Sequence, residues 1–142
     1  MTGRGRKSAR FMAVVAEMLE RGHLVRFRAM GWSMHPTIRN GEVITIAPLG
    51  RAPVRTGDIL LYRRGRGAVA HRVVDVETGP ARSGRLILQG DAALFCDQPI
   101  SHGQVLGRVQ AVERGGYRVR LGLLSLSWLR ALARGIRRRF IS

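Results

Sequence analysis

The feature that most limits the fold is a series of short apolar runs, each ended by glycine or another turn residue. "HLVRFRAM" (23–30) alternates apolar and polar side chains. "GEVITIAPL" (41–49), rich in β-branched residues, "DILLYRR" (58–64), "AVAHRVVDVE" (68–77) and "RLILQGD" (85–91) follow at short intervals. "QVLGRVQAVER" (104–114) and "YRVRL" (117–121) are separated only by Gly115-Gly116, a hairpin signal. Alternation with a period of two puts successive side chains on opposite faces of a strand. Six or seven such strands, so closely spaced, predict a mainly β fold: a coiled, mostly antiparallel sheet or barrel.

The two ends differ. Residues 1–8 are polar and basic and are expected to be disordered. Phe11, Val14, Val15, Met18 and Leu19 then recur at helical spacing, and Gly22 is a stop. An N-terminal helix over about 9–22 is therefore expected, leading into a single β domain over 9–120. In the tail, 121–142, Leu124, Trp128, Leu132 and Ile136 follow one another at steps of four. Arg130, Arg134, Arg137 and Arg138 fall on the other side. This predicts a basic amphipathic helix, suited to packing on the domain or to an anionic membrane interface.

Charge narrows the partners. The 142 residues carry a formal net charge of +16, and Lys7 is the only lysine among 25 basic residues. Such an excess favours anionic partners without specifying one. Nothing points to specific nucleic-acid recognition. A lone cysteine, Cys96, excludes an internal disulfide and leaves no cysteine–histidine set with zinc spacing, so neither a metal nor another cofactor is expected. "FMAVVA" is followed by Glu17 and Glu20, which argues against a secretory signal. The longest uncharged apolar stretch, "LGLLSLSWL", ends at Arg130, well short of the ~20 residues that span a bilayer. The expected location is cytoplasmic, with the tail as an optional peripheral contact on the inner membrane face.

Chemistry points to "GWSMHPT" (31–37), where Ser33 is either a turn residue or a nucleophile. A serine hydroxyl needs a base within hydrogen-bond reach and donors aimed at the developing oxyanion. Lys7 lies in the basic start. His35 is two residues from Ser33, His23 opens a strand, and His102 lies in the turn "ISHGQ". His71 differs: it stands mid-strand, sharing a face with Val69 and Val73. A histidine on an inward face needs partners for its ring nitrogens, and a carboxylate would fix its tautomer. Asp91 and Asp97 in "QGDAALFCDQPI" can each fill that role, while Asp58 in "TGDIL" reads as a turn device.

Taken together, "GWSMHPTIRNGEVITI", "RTGDILLYRR", "AVAHRVV" and "LILQGDAALFCDQPI" with "GQVLGRVQAV" resemble the successive boxes of the type I signal peptidase family, over about residues 28–113. The repressor autoproteases share that fold and the Ser-Met box. The histidine in "AHRVV" is similar to the archaeal and endoplasmic-reticulum version, in which histidine replaces the lysine base. The resemblance implies Ser33 as nucleophile and oxyanion donor through its backbone N–H, and His71 as base. Asp97 is the implied functional carboxylate, with Asp91 a second. Trp32 and Met34 flank the nucleophile as implied substrate contacts. The implied substrate is a peptide or leader-like segment with a small residue before the cut, added as a strand beside the site. Two departures stand out: Gly31 occupies the position of the usual second oxyanion donor, and no transmembrane anchor is visible. The rival readings are a catalytically weak member that binds peptide or nucleic acid, and a fragment of a repressor autoprotease. The last lacks any helix-turn-helix segment or cleavage segment ahead of the sheet.

Overall fold

Among the described residues, seven antiparallel strands form one sheet, with a helix packed against it. The structure, a computed structural model, describes residues 3–78 and 84–121. Helix α1 spans Gly3–Glu20. The strands are β1 (Val25–Arg28), β2 (Val43–Ala47), β3 (Ile59–Arg64), β4 (Gly67–Val76), β5 (Leu86–Gln89), β6 (Val105–Arg114) and β7 (Tyr117–Arg120). A single 3-10 turn, His102–Gln104, precedes β6.

The strand order is β1-β2-β6-β3-β4-β5, and β7 pairs with β6. Strand β6 organises the rest. It pairs with β2 through Arg108–Glu113 and with β3 through Val105–Arg108, so these partners must lie on opposite edges. Because β7 also pairs with Ala111–Arg114, it shares the β3 edge farther along. One long strand thus carries three partners, and register shifts in both the β2 and β3 ladders add to its coiling. The β6–β7 hairpin turns at Gly115 and Gly116, both with positive φ (57° and 80°), the I′ pattern that matches strand twist.

The alternation read from the sequence divides the interior into two clusters. Along β3, Ile59 and Leu61 face one cluster, while Leu60 and Tyr62 face the other. The first also holds Val15 and Leu19 of α1, with Met34, Ile38, Ile44 and Val112. Val73, Leu86, Leu88 and Ile100 complete the second. Fully burying an aliphatic side chain of this kind contributes roughly 1.5–3 kcal/mol, so these faces set the strand register.

Three expectations change. The helix begins at Gly3, earlier than the expected residue 9; Arg4, Arg6 and Lys7 are good helix formers that offset Gly3 and Gly5, and no proline interrupts them. Of the apolar positions expected on its inner face, only Val15 and Leu19 are buried, whereas Phe11, Val14 and Met18 remain exposed. A helix on the rim of a sheet presents only one stripe to the core. The sheet is open and not a barrel, because β1 and β5 end the strand order. Beyond Leu121, the expected tail helix lies outside the described residues.

Candidate active site

Ser33 sits in the turn that leaves β1. The β1–β2 ladder continues past Arg28 through Ala29 N–H to Glu42 O (2.8 Å) and Gly41 N–H to Ala29 O (2.7 Å). The chain then folds on itself, with His35 N–H bonding Trp32 O and Ile38 N–H bonding Met34 O. Met34 and Ile38 are buried and anchor this turn in the first cluster. Gly31 precedes it with φ +105°, a conformation that side chains rarely adopt.

The opposite side of the site comes from β4. His71 is 4% exposed and Val73 fully buried, while Val69 packs on the second cluster, so the expected shared face exists. His71 Nε2 lies 3.0 Å from Ser33 Oγ, the geometry for the hydroxyl to donate. Its Nδ1 bonds Asp97 Oδ2. Asp97 is itself buried, held by its backbone N–H to Leu88 O (2.8 Å). The topology thus brings Ser33, His71 and Asp97, from three separate segments, into one chain of hydrogen bonds.

Tyr62 joins them. It is 2% exposed, and its hydroxyl donates to the same Asp97 Oδ2. It also lies 3.5 Å from His71 Nδ1. Arg64 stands more loosely beside the other carboxylate oxygen, at 3.9 Å. Burial pushes the Asp97 carboxyl upward, but the hydrogen bonds from His71 and Tyr62, with the nearby charges of His71 and Arg64, bring it below the ordinary aspartate value. Burial, together with Asp97, drives the Tyr62 phenol far above its ordinary value, so it stays protonated and donates.

Asp91, an alternative partner for His71 in the sequence, is engaged elsewhere. Arg72 grips it through Nε and a terminal nitrogen, both at 2.8 Å, and Thr37 Oγ1 donates to the same carboxylate. Arg72 also donates to Gly57 O at 2.9 Å. Adjacent strand residues point to opposite faces, so His71 and Arg72 serve the two aspartates separately. Around Asp91 the backbone clasps the serine turn: Asp91 N–H approaches Met34 Sδ at 3.4 Å, and Ala92 N–H donates to Ser33 O at 2.9 Å. Gly90 permits this closeness, since a Cβ there would stand 2.5 Å from Ser33 O and 3.1 Å from His71 Nε2.

Around Ser33 opens a cleft of about 350 Å³. Phe27–Met30 form one wall and Gly67–Ala70 the other, with Met34, Ile38, Ile44 and Leu61 also lining it. Met34 lines the cleft as expected, but Trp32 does not: it is 67% exposed and lies beside the His35 ring. Among the described residues no strand pairs with the outer edge of β1, nor with the second edge of β4 before Arg72. Nor does the Ser33 backbone N–H have an acceptor among them. The Gly31 N–H is taken by Asn40 Oδ1 at 2.8 Å.

The remaining titratable candidates stand apart. His23 and His35 are exposed, and His102 bonds Gly84 O at 2.7 Å. Asp58 accepts from Arg55 N–H at 2.9 Å, the turn role expected of it. Cys96 is fully buried beside Gln89. Among the described residues no three His, Cys, Asp or Glu side chains gather to hold a metal ion, and no helix is long and apolar enough to cross a membrane.

Sequence reasoning missed Tyr62, Arg72, Thr37 and Gly90. One signal was present: Arg72 interrupts a valine-rich strand, and a buried guanidinium demands a carboxylate. No protein-family model matches the chain, and no curated protein matches it.

Proposed function

We propose that the chain is a serine endopeptidase that acts through Ser33, His71 and Asp97, in the manner of the signal peptidases its motifs resemble. The observation that carries this reading is the 3.0 Å contact between Ser33 Oγ and His71 Nε2, with Asp97 on the other ring nitrogen. A buried histidine needs polar partners, but a structural role does not call for an exposed serine as one of them. A nucleophile must be exposed; its base and the acid behind it need not be.

The two bare strand edges beside the cleft are suited to an extended peptide, which would pair with β1 and with Gly67–Ala70 of β4. In the reaction, Ser33 Oγ attacks the scissile carbonyl while its proton passes to His71 Nε2. Asp97 holds the resulting imidazolium through Nδ1. His71 then gives the proton to the leaving amine, and an ester links the acyl half to Ser33. Water, deprotonated by His71, hydrolyses the ester and restores the hydroxyl.

The Ser33 N–H, free of other acceptors among the described residues, is available for the role of oxyanion donor. Gly31 offers neither a side chain nor its N–H, which Asn40 holds. Losing one oxyanion donor typically costs about 100–1000-fold in rate, so slow turnover is expected. The substrate would be a peptide or leader-like segment with a small residue before the cut, met in the cytoplasm or at the inner membrane face.

A fluorophosphonate probe tests the reading. Labelling should map to Ser33, disappear in Ser33→Ala and fall to background in His71→Ala while both variants stay folded by circular dichroism. Labelling that survives Ser33→Ala, or none in the folded native chain, would overturn it.

A further inference from the structure

We infer that Tyr62 is a fourth member of the proposed site, a positioning residue whose hydroxyl holds the Asp97 carboxylate against the His71 ring. This inference rests on the endopeptidase reading for its consequence, but its geometry stands independently.

Asp97 lies outside the regular strands, between Cys96 and Gln98. Its backbone is tied to Leu88, yet nothing in that tie fixes the rotation of the carboxyl group. Rotation is fixed by what the oxygens accept. Oδ2 receives both His71 Nδ1–H and the Tyr62 hydroxyl, while among the described residues Oδ1 has only the Arg64 contact at 3.9 Å, beyond hydrogen-bond length. Arg64 is also about half exposed, at 52%, so its hold is screened by solvent. Tyr62 is therefore the firm second anchor.

Strand geometry explains how tyrosine comes to serve. In the β3–β4 ladder Leu60 lies opposite His71 and Tyr62 opposite Val69, so Tyr62 and His71 are diagonal neighbours on one face. The phenol hydroxyl reaches the carboxylate oxygen that His71 Nδ1 also bonds, with the two ring centroids 6.2 Å apart and the ring planes inclined at 66°. Phenylalanine would fill the same volume and leave the carboxylate with a single strong donor. Leucine at Leu60, two residues earlier on the same face, meets the packing need without any hydroxyl. The oxygen of Tyr62 is thus surplus to the core and specific to the site.

A hydrogen bond to an ionised group is stronger than one between neutral partners. Both donors favour the carboxylate form of Asp97, and that charge keeps the Nδ1–H tautomer that frees Nε2 to receive the serine proton. Without the hydroxyl, the carboxyl can turn toward the cleft lined by Arg64, Gln98 and Gln104.

Tyr62→Phe tests the role with two readouts. In the first, the His71 Nδ1 proton is followed by NMR in the unlabelled protein. Its resonance should disappear in Asp97→Asn and shift in Tyr62→Phe. A resonance unchanged by Tyr62→Phe would overturn the inference whether or not the protein is an enzyme. In the second, fluorophosphonate labelling of Ser33 should slow by about tenfold or more, the worth of one charge-assisted hydrogen bond. The acid limb of its pH profile should move to higher pH, because a carboxylate with one donor fewer takes up its proton sooner. Val112→Ala, a cavity variant in the other cluster, controls for lost stability. Slowing no greater than in that control, with an unmoved pH profile, would reduce Tyr62 to a core residue.

Discussion

Two aspartates six residues apart serve different ends, and their neighbours determine which. Asp97 meets the imidazole that faces Ser33 and a phenol that stays protonated and donates. Asp91 meets a guanidinium that remains charged and a hydroxyl, a pairing that stores charge without moving it. Both side chains of the Arg72–Asp91 pair are nearly inaccessible, at 2% and 4%. Removing one partner of such a buried pair typically costs about 3–5 kcal/mol, because the other charge is stranded. Asp91→Ala should therefore lose stability on that scale in urea titration, whereas Asp97→Asn should lose less and slow labelling more. The sequence held both aspartates as candidates because spacing along a loop does not say which strand face each will meet. His71 was legible for the opposite reason: alternation alone put it inward between Val69 and Val73. Tyr62 and Thr37 were silent, since their roles depend on partners 35 and 54 positions away.

At the scale of elements, every strand expected from alternation exists, with ends displaced by a few residues. The β4 expectation of 68–77 became Gly67–Val76, and 104–114 became Val105–Arg114. Local chemistry suffices there, because side-chain period and turn glycines act within a few residues. Strand order was not legible: β6 lies between β2 and β3 through contacts of long sequence separation. The apolar positions of α1 were over-read for a related reason, since helical spacing does not state how wide a face the sheet will cover. The junction after β5 carries the element-scale prediction. Gly90 ends that strand against the serine turn, and a methyl group there would collide with Ser33 O at 2.5 Å. Gly90→Ala should lower stability by about 1–3 kcal/mol, as overpacking does. By moving the turn away from His71, it should also slow labelling of Ser33 beyond what the stability loss accounts for.

For the whole molecule, acid is the sensitive direction. Among the described residues, two carboxyls are held below their ordinary values. One is Asp97, raised by burial but lowered further by His71, Tyr62 and Arg64. The other is Glu42, lowered first by its hydrogen bond from Arg114. A carboxyl depressed in the folded state adds stability above its unfolded value, and that share is lost as pH falls through the folded value. Thermal midpoints should hold steady down to about pH 4, the ordinary carboxyl range, and fall below it. Asp97→Asn should flatten part of that fall. An acid slope identical to the native one would mean that Asp97 does not titrate as its surroundings require.

The outer edge of β1, unpaired among the described residues, has a consequence for the purified protein as well as for a substrate. A strand with unsatisfied amides invites another copy of itself, the first step toward stacking into aggregates. Arg28 projects from that strand on its exposed face, where Arg26 is paired with Glu113 of β6. In a chain already at +16, Arg28 sets like charge against like whenever two such borders meet. That guanidinium thus acts as a chaperone of solubility: high salt, which mutes its repulsion, is the condition under which this border would begin to recruit its own kind.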